Sequence, residues 1–125
     1  MQKLVADAGR SDISLDSAGT GDWHVGELAD PRTRAAADRR GYRMTHRSRQ
    51  FVVADFDRFD LVVAMDRSNL ANLERIGRGR AQTPPIRLLR VDGRDVPDPY
   101  AGGADGFEEV LDICEAACRD LLASV

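Results

Sequence analysis

Apolar residues fall into blocks whose spacing alternates between helical and strand-like along the chain. Leu4, Val5 and Ala8 share one side of a short helix over residues 2–9 that stops at Gly9. Residues 13–17 alternate with period two before Ala18-Gly19-Thr20-Gly21, which predicts a short strand running into a glycine-rich turn. A loop continues to about Asp30. Asp30-Pro31 then supplies a capping carboxylate and a first-turn proline for a helix through Ala35, Ala36 and Ala37 to the Gly41 stop. Residues 51–59 read as irregular or weakly helical. The apolar run Leu61-Val62-Val63-Ala64-Met65 fits a parallel strand buried on both faces. Asp66 to about Ile76, with Leu70 and Leu73, reads as a helix, and Ile86 to Val91 as an edge strand. Phe107, Val110, Leu111, Cys114, Cys118, Leu121, Leu122 and Val125 keep helical spacing to the last residue and predict a long amphipathic helix.

Strands alternating with helices predict an α/β fold: a small, doubly wound parallel sheet with helices on both faces. The 125 residues suit one domain spanning 1–125. In such sheets function gathers at the carboxyl ends of strands, so the loops at residues 18–29, 66–69 and 92–106 are the ones to read for chemistry.

Composition narrows the classes of partner. Eighteen basic against twenty-one acidic residues give a net charge of -3, which argues against nucleic-acid binding through overall charge. No apolar stretch is long enough to span a bilayer, and the N-terminus lacks a signal-peptide core. A cytoplasmic chain with no membrane or nucleic-acid partner is expected. Cys114 and Cys118 stand four positions apart, neither a Cys-x-x-Cys pair nor a zinc pattern, and helical neighbours at that spacing are too far apart for a disulfide. Two free thiols facing the core of the last helix are predicted. Arg119 follows Cys114 too closely for a phosphatase loop.

Individual residues read more than one way. The first loop's glycines miss the dinucleotide and nucleotide-loop spacings. Trp23, the only tryptophan, either covers the core or walls a ligand pocket. Asp98, flanked by Pro97 and Pro99 and followed by Tyr100, is either a turn residue or a carboxyl group held in place as a general acid. His46 sits in the stretch 31–50, which holds seven arginines and reads as a solvated face or, more sharply, as a nucleic-acid patch.

Asp16-Ser17-Ala18-Gly19-Thr20, Asp22-Trp23-His24-Val25-Gly26, Asp30-Pro31-Arg32, Thr45-His46-Arg47-Ser48-Arg49-Gln50, Ala64-Met65-Asp66-Arg67-Ser68-Asn69-Leu70 and Asp98-Pro99-Tyr100 together resemble the low-molecular-weight protein tyrosine phosphatases. The likeness runs in family order from about Lys3 to Val125. Arsenate reductases of the same fold resemble these motifs less well. The resemblance implies hydrolysis of phosphotyrosine, in proteins or as small aryl phosphates, without metal or cofactor, through a phosphocysteine intermediate. It implies Asp98 as the general acid, Trp23 and Tyr100 as walls for the substrate ring, and Ser17 and His46 as supports of the phosphate loop.

One departure follows. The family begins with a strand, a Cys-x5-Arg loop and then its first helix, whereas this chain begins inside that helix. The expected structure therefore lacks the central strand between residues 13–17 and 60–65. A slot of about 10 Å, two strand spacings, would lie there. A start codon assigned too late is the most economical explanation and a truncated gene the second. The chain as given is expected to be inactive, with a noncatalytic interaction module or remnant of the fold as the alternative.

Overall fold

The computed structural model describes residues 1–21, 25–98 and 104–125. The helices are α1 (Gln2–Asp7), α2 (Pro31–Arg39), α3 (Arg67–Ile76) and α4 (Ala104–Ser124), with a 3-10 turn at Val53–Asp57. The strands are β1 (Val62–Ala64) and β2 (Ile86–Leu88), parallel to each other with Val62 opposite Ile86 and Ala64 opposite Leu88. The chain is α/β with a small parallel sheet, as the alternation predicts.

Alternation along β1 divides the core between two faces. Val62 and Ala64 pack with Phe56 and Leu73, which brings α3 and the 3-10 turn onto one side of the sheet. Leu61 and Val63 instead meet Leu89, Val96, Ala117 and Leu121, so α4 covers the other side. Helices α1 and α2 then pack on α4 rather than on a strand. No helix among the described residues is long and apolar enough to cross a membrane.

Local signals account for the helix ends. Asp66 accepts the Asn69 N–H at 2.7 Å and caps α3, and Asp30 accepts the Arg32 N–H at 2.7 Å and caps α2. Past α2 the chain turns at Gly41, whose φ of 81° suits glycine, and Tyr42 N–H returns to the Ala37 carbonyl at 3.0 Å. Arg40 then ties α2 to α4 through Glu108 at 2.6 Å, Asp112 at 2.9 Å and Glu115 at 3.1 Å.

Residues 13–17 correct the sequence reading, because they form no strand. Period-two alternation selects which side chains share a face, but a strand also needs a neighbour about 4.8 Å away to bond its backbone. Here the pairing is one isolated parallel bridge between Gly19 and Gln50. On β1, the Val62 N–H and Ala64 carbonyl bond toward Pro85 and Leu89, which turns the Val63 backbone groups to the opposite edge. That edge faces Asp16, Ala18, Gly19 and Thr20 across a cavity of about 160 Å³. The second strand is also shorter than the predicted 86–91, ending at Leu88.

Candidate active site

Two of the predicted site residues meet beside this cavity, on a wider cleft between α1, α4 and residues 26–48. His46 Nε2 lies 3.1 Å from the Ser17 carbonyl oxygen. A carbonyl only accepts, so Nε2 carries the proton and donates it. Asp16 Oδ1 accepts the Ser17 N–H at 2.8 Å and stands 4.0 Å from His46 Nε2. The turn at Asp16-Ser17 and the imidazole thus share one set of bonds. Backbone contacts bring them together: Ser48 N–H to the Glu27 carbonyl and Gly26 N–H to the Ser48 carbonyl, both at 2.7 Å, and Phe51 N–H to the Gly19 carbonyl at 2.7 Å.

Behind this pair is a charged anchor that sequence reasoning missed. Asp55 is fully buried, and its carboxylate accepts from Arg58 at 2.6 Å, from Arg49 at 3.0 Å and from the Val52 N–H at 2.8 Å. Burial alone pushes the Asp55 carboxyl up, but the Arg49 and Val52 hydrogen bonds and the two guanidinium charges outweigh it and hold the group below its ordinary value. Arg49 forks: one nitrogen reaches Asp55 and another reaches Asp16 Oδ2 at 3.0 Å. Its own pKa is raised, first by the Asp55 hydrogen bond. The result is a relay of contacts from a buried carboxylate through Arg49 to Asp16, and from there to Ser17 and His46. The available sequence signal was the acidic residue Asp55 between Val52 and Phe56, with arginines at 49 and 58 on either side.

The loop leading to Asp98 is fixed at the end of β1. Val96 is buried, its N–H bonds the Met65 carbonyl at 2.9 Å, and the Arg67 N–H bonds Asp95 Oδ1 at 2.9 Å. The loop is therefore pinned to the carboxyl end of β1 and the first turn of α3, and Met65 itself lines the cavity. Asp98 follows two residues later, exposed to solvent. Trp23 and Tyr100 lie outside the described residues. Thr20 closes one side, where its Oγ1 accepts from Asn72 Nδ2 of α3 at 3.2 Å.

The arginine-rich stretch does not behave as one surface. Arg40 and Arg49 are partly buried hubs of ion pairs, and Arg47 donates to the Gly26 carbonyl at 2.9 Å. Cys114 and Cys118 are free, half-buried on α4, and neither lines the cavity beside β1.

The model of the "Low molecular weight phosphotyrosine protein phosphatase" family matches residues 1–125. A low molecular weight protein-tyrosine-phosphatase of Streptomyces coelicolor is 50% identical over 129 aligned residues, covering 97% of this chain and 79% of that one. Among solved structures, a protein tyrosine phosphatase from Entamoeba histolytica with Hepes in its active site superposes with a TM-score of 0.85 at 36% identity, over 98% of this chain and 81% of the other. A Drosophila arginine phosphatase superposes with a TM-score of 0.85 at 32% identity, over 98% and 84%. Sequence and fold agree over nearly the whole chain, and the chain belongs to the low molecular weight phosphotyrosine protein phosphatase family.

Proposed function

We propose that this domain hydrolyses phosphotyrosine through a phosphocysteine intermediate, with Asp98 as the general acid, and that the nucleophile and phosphate-binding loop come from a segment outside residues 1–125. One observation carries the reading. The Asp16-Ser17 turn that His46 bonds and the loop leading to Asp98 that Met65 bonds both adjoin the cavity beside β1, which Asp16 and Met65 line. A strand entering that cavity would deliver the loop after it between them. Cys114 and Cys118 do not line that cavity; they line the wider cleft that Ser17 and His46 also line.

The chemistry assigns each group a step. A thiolate attacks phosphorus and the bond to the phenolic oxygen breaks, while Asp98 donates its proton to that oxygen. Water then attacks phosphorus, Asp98 takes its proton back, and the sulfur–phosphorus bond breaks to release phosphate. Ser17 and His46 hold the phosphate loop, and Trp23 and Tyr100 flank the ring of the substrate. Residues 1–125 alone give no turnover, since a general acid without a nucleophile has nothing to assist. The domain works in the cytoplasm on phosphotyrosine proteins or small aryl phosphates, without metal or cofactor.

The test compares purified residues 1–125 with a version extended by the reading frame upstream of Met1. Phosphotyrosine peptide, nitrophenyl phosphate and phosphoarginine are assayed against a buffer blank. We expect turnover of the two aryl phosphates by the extended protein alone. Hydrolysis by residues 1–125, abolished by Asp98→Asn, would show that the nucleophile lies within them. A preference for phosphoarginine would move the substrate class, and an upstream frame with no strand and Cys-x5-Arg loop would sink the proposed source of the nucleophile.

A further inference from the structure

Asp95 makes a contact that the proposed chemistry does not yet use. Its Oδ1 accepts the Arg67 N–H at 2.9 Å. Arg67 is the first residue of α3, and its amide is one of those at a helix start that find no partner within the helix. The N-cap Asp66 takes the Asn69 N–H, which leaves the Arg67 N–H to Asp95, 28 positions further on. The Asp95 main chain is held as well, because Arg90 donates to its carbonyl at 3.0 Å while also bonding Asp92 at 3.0 Å. Between Asp95 and Asp98 the chain has little freedom. Val96 is buried and bonded to the Met65 carbonyl, Pro97 fixes its own φ near about −65°, and Pro99 restricts Asp98 to extended backbone. A change of direction at Asp95 is therefore passed on to Asp98 instead of being absorbed.

We propose that Asp95 is the positioning residue of the general acid: the bond from its carboxylate to the first amide of α3 sets the direction of the loop, and so the place from which Asp98 protonates the leaving oxygen. The inference rests on the phosphatase reading with Asp98 as the acid. Asp95 moves no proton itself and acts through Asp98. Its negative charge suits the start of a helix, where the aligned peptide dipoles favour a carboxylate. Burial of Val96 seats the loop on β1, and the Asp95 bond turns it toward α3. The second contact of Arg67 with this loop, from its guanidinium to the Gly93 carbonyl at 3.2 Å, lies before Asp95 and leaves the stretch that carries the acid untouched.

The test uses the extended protein and reads kcat/KM on phenyl phosphate and on nitrophenyl phosphate. Phenolate is the poorer leaving group and needs the proton more, so a misplaced acid costs more on the first substrate. Asp95→Ala should lower kcat/KM about tenfold on phenyl phosphate and less than about threefold on nitrophenyl phosphate, with inhibition by inorganic phosphate unchanged. Asp95→Asn keeps an acceptor and should recover most of the loss. From the helix side, Arg67→Pro removes the N–H at a position that accepts proline, since Asp66 before it is already extended at φ −148° and ψ 174°. It should reproduce Asp95→Ala, whereas Arg67→Ala keeps the N–H and should lose markedly less. Added to Asp98→Asn, Asp95→Ala should cost nothing further, because the two residues act as a unit. If Asp95→Ala loses helix by circular dichroism, Asp95→Asn and Arg67→Pro decide. Turnover by the extended parent tests the phosphatase reading, and the ratio of variant to parent tests this one. A parent without turnover would end both. An active parent with equal losses on the two substrates, an Arg67→Ala loss equal to that of Arg67→Pro, or a full Asp95→Ala loss on top of Asp98→Asn would overturn the positioning role alone.

Discussion

Around β1 and α3 the chain is held by apolar burial, with Phe56, Val62, Ala64 and Leu73 closing one face of a bonded strand pair. Between Asp16 and Gln50 it is held by arginines: Arg49 links Asp16 to Asp55, and Arg40 links α2 to three carboxylates of α4. The contrast follows from the sheet. Where a ladder exists, alternating side chains find a core; where residues 13–17 have none, charge-assisted hydrogen bonds fix the backbone instead. Such bonds are directional and position a site well, but they depend on protonation and, where exposed, on salt. The proposed acid stands on the first kind of support and its partners Ser17 and His46 on the second.

The largest effect should come from the acid. In the extended phosphatase, Asp98→Asn keeps the shape of the loop and removes the transferable proton, so the rate constant on phosphotyrosine should fall by about 10²–10⁴. Nitrophenyl phosphate, whose leaving group needs that proton less, should lose less. Binding of inorganic phosphate should change little. An equal loss on both substrates would remove Asp98 from that role.

Next in size is the apolar half. Leu73→Ala removes a buried side chain between α3 and β1 and should cost about 2–5 kcal/mol in urea unfolding. The same loss should be measured at pH 7 and at pH 4, because no charge is involved. A cost below about 1 kcal/mol would mean that this face is not packed as described.

The charged half should respond differently. Asp55→Asn leaves a neutral group facing Arg49 and Arg58 and should cost about 2 kcal/mol at pH 7. The pH dependence has a definite sign. Asp55, Glu108 and Glu115 all have folded-state pKa values held down, chiefly by arginine or tyrosine partners that at Asp55 work against its burial. Their contribution is therefore full above the unfolded carboxylate values near 4 and is lost as pH falls through the lowered folded values. Stability of the parent should drop on acidification, and the gap between parent and Asp55→Asn should narrow. A gap that stays constant from pH 7 to pH 3 would show that the pairing with Arg49 and Arg58 contributes nothing.

These differences also explain what could be read from the sequence. Helix ends were legible because the signals are local: Asp30-Pro31, Asp66 and Gly41 act within a turn of themselves. The apolar run at 61–65 was legible because burial on both faces leaves no polar position. Residues 13–17 were misread because pairing is a property of a neighbour distant in sequence. The ion pairs of the arginine stretch were not legible for a similar reason, since Arg40 finds its carboxylates on α4 and Arg49 finds one at Asp16. At the site, Ser17 and His46 do come together, although the bond joins the imidazole to a backbone carbonyl. The fully buried Asp55 had no apolar pattern to announce it.

The smallest prediction compares two helix caps, one in each half. Asp30 and Asp66 both accept a first-turn N–H at 2.7 Å, so replacing either with Ala should cost about 1 kcal/mol through the unsatisfied amide. Asp30 also pairs with Arg32 at 3.2 Å, and this arginine, by side-chain hydrogen bond first, holds the Asp30 carboxyl below its ordinary value. That pair is largely exposed on the arginine side, so its share should be small and should shrink in salt. Asp30→Asn and Asp66→Asn separate the two contributions, since asparagine keeps the acceptor and drops the charge. Both should recover most of the capping energy, with the Asp30 variant falling short of its parent at low salt and approaching it at 0.5 M sodium chloride. If the salt dependence appears at Asp66 and not at Asp30, the division between a charge-held half and a burial-held half is wrong at the level of single helix termini.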